Sequence, residues 1–289
     1  MLKQLQRSYT IDEQIQNLQK LKLTINDIAY AKTFLNKVSY FRFVKAYSLG
    51  LKTPDGFYKP GVDFDMLVEL YQFNRVFRQS LFTQIERIEV TLRCRLSNYF
   101  SNKYGVLGYE NVNNFQNQSH YEQFLSEKNR ETRQNRRSPF IRNFQTNYTD
   151  GKIPFYALVE IFTFGTLSKF LKNMKVADKK QLAKSYNINY PYLESWIESL
   201  AFVRNVCAHY GRLYNSSFPK TPRLYKEYTE NHIGNHRVFA SILCMKELLP
   251  HDHKGKEFIL TLREMKSDYP HVDWKTMDFP ENWQTILLK

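Results

Sequence analysis

The stretch FDMLVELYQFNRVFRQSLFTQIERIEVTLRCRLSNYFSNKY, residues 64–104, contains neither glycine nor proline. Its large apolar side chains recur every three or four positions, the spacing that places them on one face of an α-helix. They are Leu67, Leu70, Tyr71, Phe73, Phe77, Leu81, Ile85, Ile88, Leu92 and Leu96. The pattern predicts one very long helix or two in line, and a break near Asn74 or Ser80 is plausible because globular helices are usually much shorter.

The composition of the 289-residue chain also favours helix. Ten glycines and ten prolines are few for this length, while 16% of the residues are aromatic. These values disfavour turn-rich β-sandwiches and barrels. No repeat or Ser/Gly-rich linker interrupts the sequence. We therefore expect an all-α fold, with residues 1–289 forming a single helical domain with peripheral loops.

The chain is strongly basic, with 42 Lys and Arg against 28 Asp and Glu and a formal net charge of +14. Such a balance suggests a polyanionic partner, either nucleic acid or an anionic membrane surface. The simpler alternative is a soluble basic protein with no such partner.

Targeting signals and common cofactor motifs are missing from the sequence. The N-terminus has no apolar signal region and no window approaches eighteen apolar residues, so we expect a cytoplasmic protein that does not span a membrane. The three cysteines show neither CxxC pairing nor zinc-ligand spacing and are interpreted as reduced, mostly buried thiols. His251-Asp252-His253 is only a weak metal signal. Motifs for nucleotide cradling, zincins and serine hydrolases are absent, and we expect neither a cofactor nor a metal.

Residues 119–142 form the most basic segment. Its arginines could simply form the solvated face of a helix. They could equally form an arm that contacts phosphates, because arginine forks match phosphate oxygens and neighbouring rings can stack on unpaired bases. The arginines in question are Arg130, Arg133, Arg136, Arg137 and Arg142, and the neighbouring rings are Tyr121, Phe124, Phe140 and Phe144.

The main functional candidate is LAFVRNVCAHYGRLYN, residues 200–215, which places Arg204, Asn205 and His209 in an apolar run. Polar side chains in an apolar segment cost free energy unless they are paired or used. On an ideal helix Asn205 and His209 share a face, which Arg212 joins. Arg204 lies about 140° away from His209 around the axis. Arg204 and His209 would therefore converge only if the helix distorts or a second copy approaches.

This residue set could cleave RNA without a metal. A histidine can take the proton from a ribose 2′-hydroxyl or give one to a leaving 5′-oxygen. An arginine can neutralise the charge of the phosphorane through a bidentate contact. RNA supplies its own nucleophile, whereas DNA lacks the 2′-hydroxyl.

Three further charged residues could support the site. Glu89 and Arg93 are spaced for an ion pair within the long helix. Glu160 is the one acid in the apolar segment after Pro154, and we expect it to be buried. It would then either pair with an arginine of the core or help to set the charge around Arg204 and His209.

Four blocks of the sequence, taken in order, resemble the Abi-like abortive-infection proteins of bacteria, within the HEPN ribonuclease superfamily. The RNVCAH sequence of residues 204–209 is similar to the Arg-x(4–6)-His motif of HEPN ribonucleases. SYFRFVKAYSLGLK (39–52), the block at 70–105 and PFYALVEIFTFGTLS (154–168) resemble the other conserved blocks. The resemblance spans about residues 40–215, which leaves 216–289 as a C-terminal helical extension.

The resemblance implies a HEPN-like helical bundle and a metal-independent endoribonuclease toxin in phage defence or a toxin–antitoxin system. Arg204 and His209 would be the catalytic pair and Asn205 a polar supporter, with Tyr210 and Arg212 contacting RNA. Because members of the superfamily typically pair two motifs, it also implies a homodimer. One branch, controlled by nucleotidyl transfer, carries a tyrosine two places after the histidine, but Gly211 stands there in this chain. An RNA or a protein antitoxin is therefore the open alternative.

Two other functions remain open at this point. In a non-catalytic RNA-binding module, Arg204 and His209 would only recognise phosphate. In a helical interaction protein, Arg204 would pair with Glu160 or Glu89 in the core, and its loss would cost stability rather than activity.

Overall fold

A computed structural model describes residues 7–148, 150–249 and 253–289, without the side chains of His253 and Lys254. Helices account for all of the regular secondary structure in these ranges, and the only β-type pairings are three isolated bridges. The all-α prediction is thereby confirmed. The α-helices are α1 (Ile11–Lys20), α2 (Ile28–Lys37), α3 (Phe64–Tyr104), α4 (Gln118–Gln134), α5 (Pro139–Asn147), α6 (Phe155–Leu158), α7 (Phe164–Asn173), α8 (Val176–Lys184), α9 (Tyr190–Ala208), α10 (Lys226–Glu230), α11 (Val238–Leu248), α12 (His253–Asp268) and α13 (Trp283–Leu288).

Shorter helical turns connect several of these elements. Phe41–Lys45 is a π-helix, a conformation that is rare and frequently found at functional sites. The 3₁₀-helices are Gly108–Glu110, Val112–Asn114, Val159–Ile161 and Trp274–Met277.

The α3 helix runs unbroken for 41 residues through the centre of the fold. At its start the Asp63 carboxylate accepts a hydrogen bond from the Met66 backbone N–H at 2.8 Å, and Gly105 ends it at a φ of +79°. The break considered near Asn74 or Ser80 is absent, so that expectation is wrong. A stripe of fully buried side chains holds the helix against its neighbours along most of its length, so tertiary packing compensates for a length that would be unusual in isolation. The stripe includes Leu67, Phe73, Phe77, Leu81, Ile85, Leu92, Leu96 and Phe100.

The central layer of the bundle consists of α3, α7 and α9, which pack against one another. On α9, Leu193, Ile197, Leu200 and Val203 are fully buried at helical spacing. Helix α4 covers α7, while α8 and α11 pack against α9. In this arrangement the C-terminal end of α9 lies between α3 and the segment that begins at His209.

The C-terminal extension packs against α3 through aromatic side chains. The Trp274 ring lies 5.6 Å from that of Phe73, and Trp283 stacks on Trp274 with 6.0 Å between the ring centroids. Residues from α1 to α13 belong to one continuous cluster of buried apolar side chains. The extension therefore adds to the core that surrounds α3.

A buried carboxylate joins the C-terminal end of α3 to α8. Asp178 is fully buried and accepts hydrogen bonds from the hydroxyls of Tyr99 at 2.8 Å and Tyr104 at 2.6 Å. The Lys103 ammonium forms an ion pair with the same carboxylate. The acid is thus neutralised and hydrogen-bonded, as a charge at such a position must be.

The cysteines differ in exposure, with Cys94 exposed and Cys207 and Cys244 buried. Burial raises the pKa of the Cys207 thiol to about 12. This thiol is therefore neutral at pH 7 and does not act as a nucleophile beside His209. None of the helices in the described ranges is both long and apolar enough to cross a bilayer.

Candidate active site at the end of α9

The α9 helix ends just before the candidate histidine. His209 caps the helix at φ −95° and ψ 20°, and its side chain is exposed. The chain then turns through Tyr210, which adopts a left-handed φ of +58°. The Gly211 N–H donates to the Val206 carbonyl at 2.7 Å and closes the turn.

Gly211 is required by close packing rather than by its backbone angles. A Cβ atom at this position would lie 2.7 Å from Cγ1 of Val206 and 3.0 Å from its carbonyl oxygen. Any larger residue would therefore push the turn away from α9. As a result, His209 stands at the tip of the helix instead of lying along one of its faces.

The segment after the turn is fixed by Asn74, which is fully buried on α3. Its amide oxygen accepts hydrogen bonds from the backbone N–H groups of Leu213 at 2.8 Å and Tyr214 at 3.0 Å. Arg78, one turn along α3, donates to the Gly211 carbonyl at 3.0 Å. These bonds hold the chain after His209 against α3.

Two arginines lie beside the Tyr210 ring. The guanidinium carbons of Arg42 and Arg78 are each 5.9 Å from the ring centroid. Arg42, which belongs to the π-helix, also donates to the Tyr210 carbonyl at 2.9 Å. The residue as a whole remains 68% exposed.

Arg204 faces α3, where it meets Glu89. Its Nε lies 3.4 Å from the carboxylate of Glu89, and its guanidinium carbon lies 5.9 Å from the Phe82 ring centroid. Nε is buried and has no hydrogen bond of good geometry. Because the side chain as a whole is 28% exposed, solvent reaches parts of it other than Nε. One Nη atom contacts Oδ1 of Asn205 at 3.4 Å.

Glu89 connects Arg204 to a second arginine. Arg93 donates to its carboxylate at 2.8 Å, and both side chains are only 12% exposed. Arg93 also donates to the carbonyls of Val159 and Phe162. The predicted pairing of Glu89 with Arg93 is therefore confirmed, and of the two acids considered for Arg204 it is Glu89 that contacts it.

Asn205 is exposed on another side of α9. It lines a groove of about 420 Å³ between α4, α7 and α9, together with His120, Lys169 and Lys220. His209 makes no side-chain hydrogen bond to any residue in the described ranges. The structure thus brings Arg204 and Asn205 into contact and leaves the imidazole of His209 open to solvent.

Two expectations from the sequence are wrong. Arg212 does not share a helix face with Asn205 and His209, because α9 ends at Ala208. Its guanidinium donates instead to the Ala46 carbonyl, and burial lowers its pKa. Glu160 is exposed rather than buried, because it lies in the 3₁₀-helix Val159–Ile161, whose geometry differs from the α-helix assumed for that segment.

The arginines of the basic segment are exposed, as both interpretations of that segment require. They are Arg130, Arg133, Arg136, Arg137 and Arg142, on α4, α5 and the turn between them. Their aromatic neighbours Tyr121, Phe124 and Phe144 are buried, with at most 9% exposure. These three rings pack in the core, so they cannot stack on bases as the sequence interpretation proposed.

Four residues of this region did not emerge from the sequence as site candidates, namely Arg42, Asn74, Arg75 and Arg78. The signal was present on α3, since Asn74, Arg75 and Arg78 are polar residues interspersed with Phe73 and Phe77 in a long helix. Contact with Tyr210 and Gly211, which lie more than 130 positions away, could not be read from one sequence.

No group of three or more His, Cys, Asp or Glu side chains comes together among the described residues. His251 and Asp252, part of the weak metal signal, lie outside them.

The family model described as "Abi-like protein" matches residues 33–215, well over half of the chain. The match extends from α2 to the end of the segment 200–215 and confirms the resemblance to Abi-like proteins noted over residues 40–215. No curated protein and no solved structure is significantly similar to the chain.

Proposed function

Because the chain belongs to the Abi-like family, which supports an abortive-infection and phage-defence context, we propose that it is a metal-independent endoribonuclease toxin. The observation that carries the proposal is the state of His209, an exposed imidazole on a turn that Asn74 and Arg78 fix from α3. A general base has to reach solvent-borne substrate and hold its position.

The proposed reaction needs only groups of the protein and of the RNA. His209 takes the proton from the ribose 2′-hydroxyl, whose oxygen forms a bond to the adjacent phosphorus. The bond from phosphorus to the 5′-oxygen breaks, and a proton returns to the leaving oxygen. The products are a 2′,3′-cyclic phosphate and a 5′-hydroxyl.

Arg204 is the proposed stabiliser of the phosphorane charge. Glu89 contacts the buried Nε edge, which would leave Nη atoms to meet phosphate oxygens. Asn205 contacts the same guanidinium and is proposed to orient it.

We also propose a homodimer. Arg204 contacts Glu89, Phe82 and Asn205 but forms no hydrogen bond with His209 within the described part of the chain. Arg204 faces Glu89 of α3 from within α9, whereas His209 lies just beyond the end of the helix. A second copy would provide the complementary group at a composite site.

The remaining proposed partner is an RNA or protein antitoxin. Control by modification of a tyrosine two places after the histidine is ruled out, because that position is Gly211 in this chain.

The test is cleavage of single-stranded RNA by purified protein in EDTA. Unsubstituted protein is expected to cut RNA, to leave a DNA of the same sequence intact and to produce cyclic phosphate ends. His209→Ala should lose the activity, whereas His236→Ala, at another exposed histidine, should retain it. Cleavage by His209→Ala at the rate of the unsubstituted protein would refute the mechanism.

A non-catalytic RNA-binding module is the second candidate, favoured by the exposed arginines of α4 and α5. It predicts salt-sensitive RNA binding with no cut ends. The same assay separates the two functions.

A further inference from the structure

A basic cavity lies between α3 and the turn that carries His209. Its volume is about 600 Å³, within the range of small-ligand sites. Tyr71, Arg75, Arg78 and Phe82 line it from α3, and Cys207, Ala208 and Tyr210 line it from the end of α9. The wall includes the residues on both sides of His209 but not His209 itself, so the cavity adjoins the turn that carries the imidazole.

The charge of this cavity favours an anion. Arg75 is exposed, and it forms no ion pair or side-chain hydrogen bond with the described residues. Arg78 contributes a second guanidinium, and the lining includes neither Asp nor Glu. The positive charge of Arg75 is thus left for a ligand, and a guanidinium matches phosphate oxygens particularly well.

The same cavity presents an aromatic platform. Tyr210 as a whole residue is 68% exposed, and the guanidinium groups of Arg42 and Arg78 lie over its ring, each 5.9 Å from the centroid. Its backbone adopts φ +58°, a conformation that costs free energy for a residue other than glycine. The hydrogen bonds to its carbonyl and to Gly211 maintain this conformation. An exposed tyrosine whose backbone is held in this way can stack its ring on an unpaired base.

We propose that this cavity is a nucleotide subsite, in which one base of single-stranded RNA stacks on Tyr210 and an adjoining phosphate pairs with Arg75. The subsite rests on the proposed function for the identity of its ligand. A nucleotide held there would bring the adjoining phosphodiester to the turn that carries His209 and so select the bond that is cut.

The test measures binding without cleavage. A fluorescein-labelled single-stranded RNA is titrated by anisotropy with full-length protein carrying His209→Ala, at several salt concentrations. Adding Tyr210→Ala should weaken binding at least about fivefold, the loss expected for one base stack, whereas Tyr210→Phe should not. Adding Arg75→Ala should weaken binding and reduce the salt slope by about 0.7, as for one phosphate contact on a single strand.

Arg263→Ala is the matched control, because Arg263 is an exposed arginine on α12 outside the cavity. Thermal unfolding of every variant verifies the fold. If Tyr210→Ala and Arg75→Ala bind with the affinity and salt slope of the parent, the subsite is refuted even when unsubstituted protein cleaves RNA. If both weaken binding while unsubstituted protein cuts no RNA, the subsite stands and the proposed activity fails.

Discussion

Arg204 and Arg93 share the carboxylate of Glu89, and replacing each by alanine separates a catalytic role from a structural one. Arg93 is 12% exposed and donates to two backbone carbonyls in addition to Glu89. Its removal leaves a nearly buried acid and two carbonyls without this partner, and breaking a buried pair costs about 3 kcal/mol or more. Arg204 is 28% exposed and approaches Glu89 only at 3.4 Å. Since Glu89 keeps its ion pair with Arg93, Arg204→Ala should lower the free energy of unfolding by only about 1 kcal/mol.

These free energies can be measured by urea unfolding, provided that the m-value is unchanged. In thermal unfolding the midpoint should fall by about 3 °C for Arg204→Ala and by about 9 °C for Arg93→Ala. RNA cleavage is measured in parallel at a temperature at which both variants are folded. Arg204→Ala should lose cleavage despite its small loss of stability, while Arg93→Ala should retain a substantial part of it.

The opposite pattern would refute the assignment of Arg204 to the reaction. If Arg204→Ala destabilises the protein as much as Arg93→Ala and folded protein still cleaves RNA, Arg204 is a structural ion-pair residue of the helical core. Arg204→Lys is a useful third variant, because it keeps the charge near Glu89 but cannot form a bidentate contact with phosphate.

Two further predictions concern the support of the site and of α3. Asn74→Ala should lower the free energy of unfolding, measured in urea, by about 3 kcal/mol, because it leaves two buried backbone N–H donors unpaired. A decrease below about 1 kcal/mol would contradict the role of Asn74 in fixing the turn. Asp178→Asn should destabilise the protein near neutral pH and by less in acid. Burial alone would raise the pKa of the Asp178 carboxyl, but hydrogen bonds from Lys103, Tyr104 and Tyr99 outweigh burial and lower it. The stability that this carboxylate contributes is therefore complete above the pKa of an unfolded aspartate, about 3.9, and is lost as the pH falls through the lower native pKa. Urea unfolding of the unsubstituted protein and of Asp178→Asn from pH 7 to pH 3 measures the difference in their free energies of unfolding, which should become smaller in acid. A difference that does not change with pH would contradict the stabilising role of the Asp178 carboxylate.

The fold class could be predicted from the sequence because the local signals agree. Residues 64–104 lack helix breakers and repeat their apolar side chains at helical spacing. The break considered at Asn74 does not occur, since the polar side chain there bonds to another segment and leaves the helix backbone intact. The usual length of helices in globular proteins, on which that expectation was based, gives no information about the tertiary support of a particular helix.

The candidate site was predictable only in part. The motif identified Arg204, Asn205 and His209, but extending an ideal helix through them misplaced Arg212, because the helix ends at Ala208. The left-handed Tyr210 and the packing of Gly211 on Val206 cause this ending. Glu160 was misplaced for a related reason, since its segment changes from α to 3₁₀ geometry.

Contacts between distant segments were beyond prediction. Arg42 and Tyr210 are 168 positions apart, and periodicity within one segment says nothing about which remote residue will meet it. The pairing of Arg204 with Glu89 was one of two options left open, and only the packing of α9 on α3 decides between them.

The continuous α3 helix sets the spacing between the two halves of the candidate site. Arg78 holds the turn after His209, and Glu89, eleven residues further along, holds Arg204. Eleven residues make just over three whole turns, about 16 Å of axis, so both groups project from the same side of α3. Inserting one residue between them would rotate one anchor by about 100° relative to the other. The segment between Arg78 and Glu89 should therefore tolerate substitution far better than any change in length. Its length determines how far apart His209 and Arg204 are held.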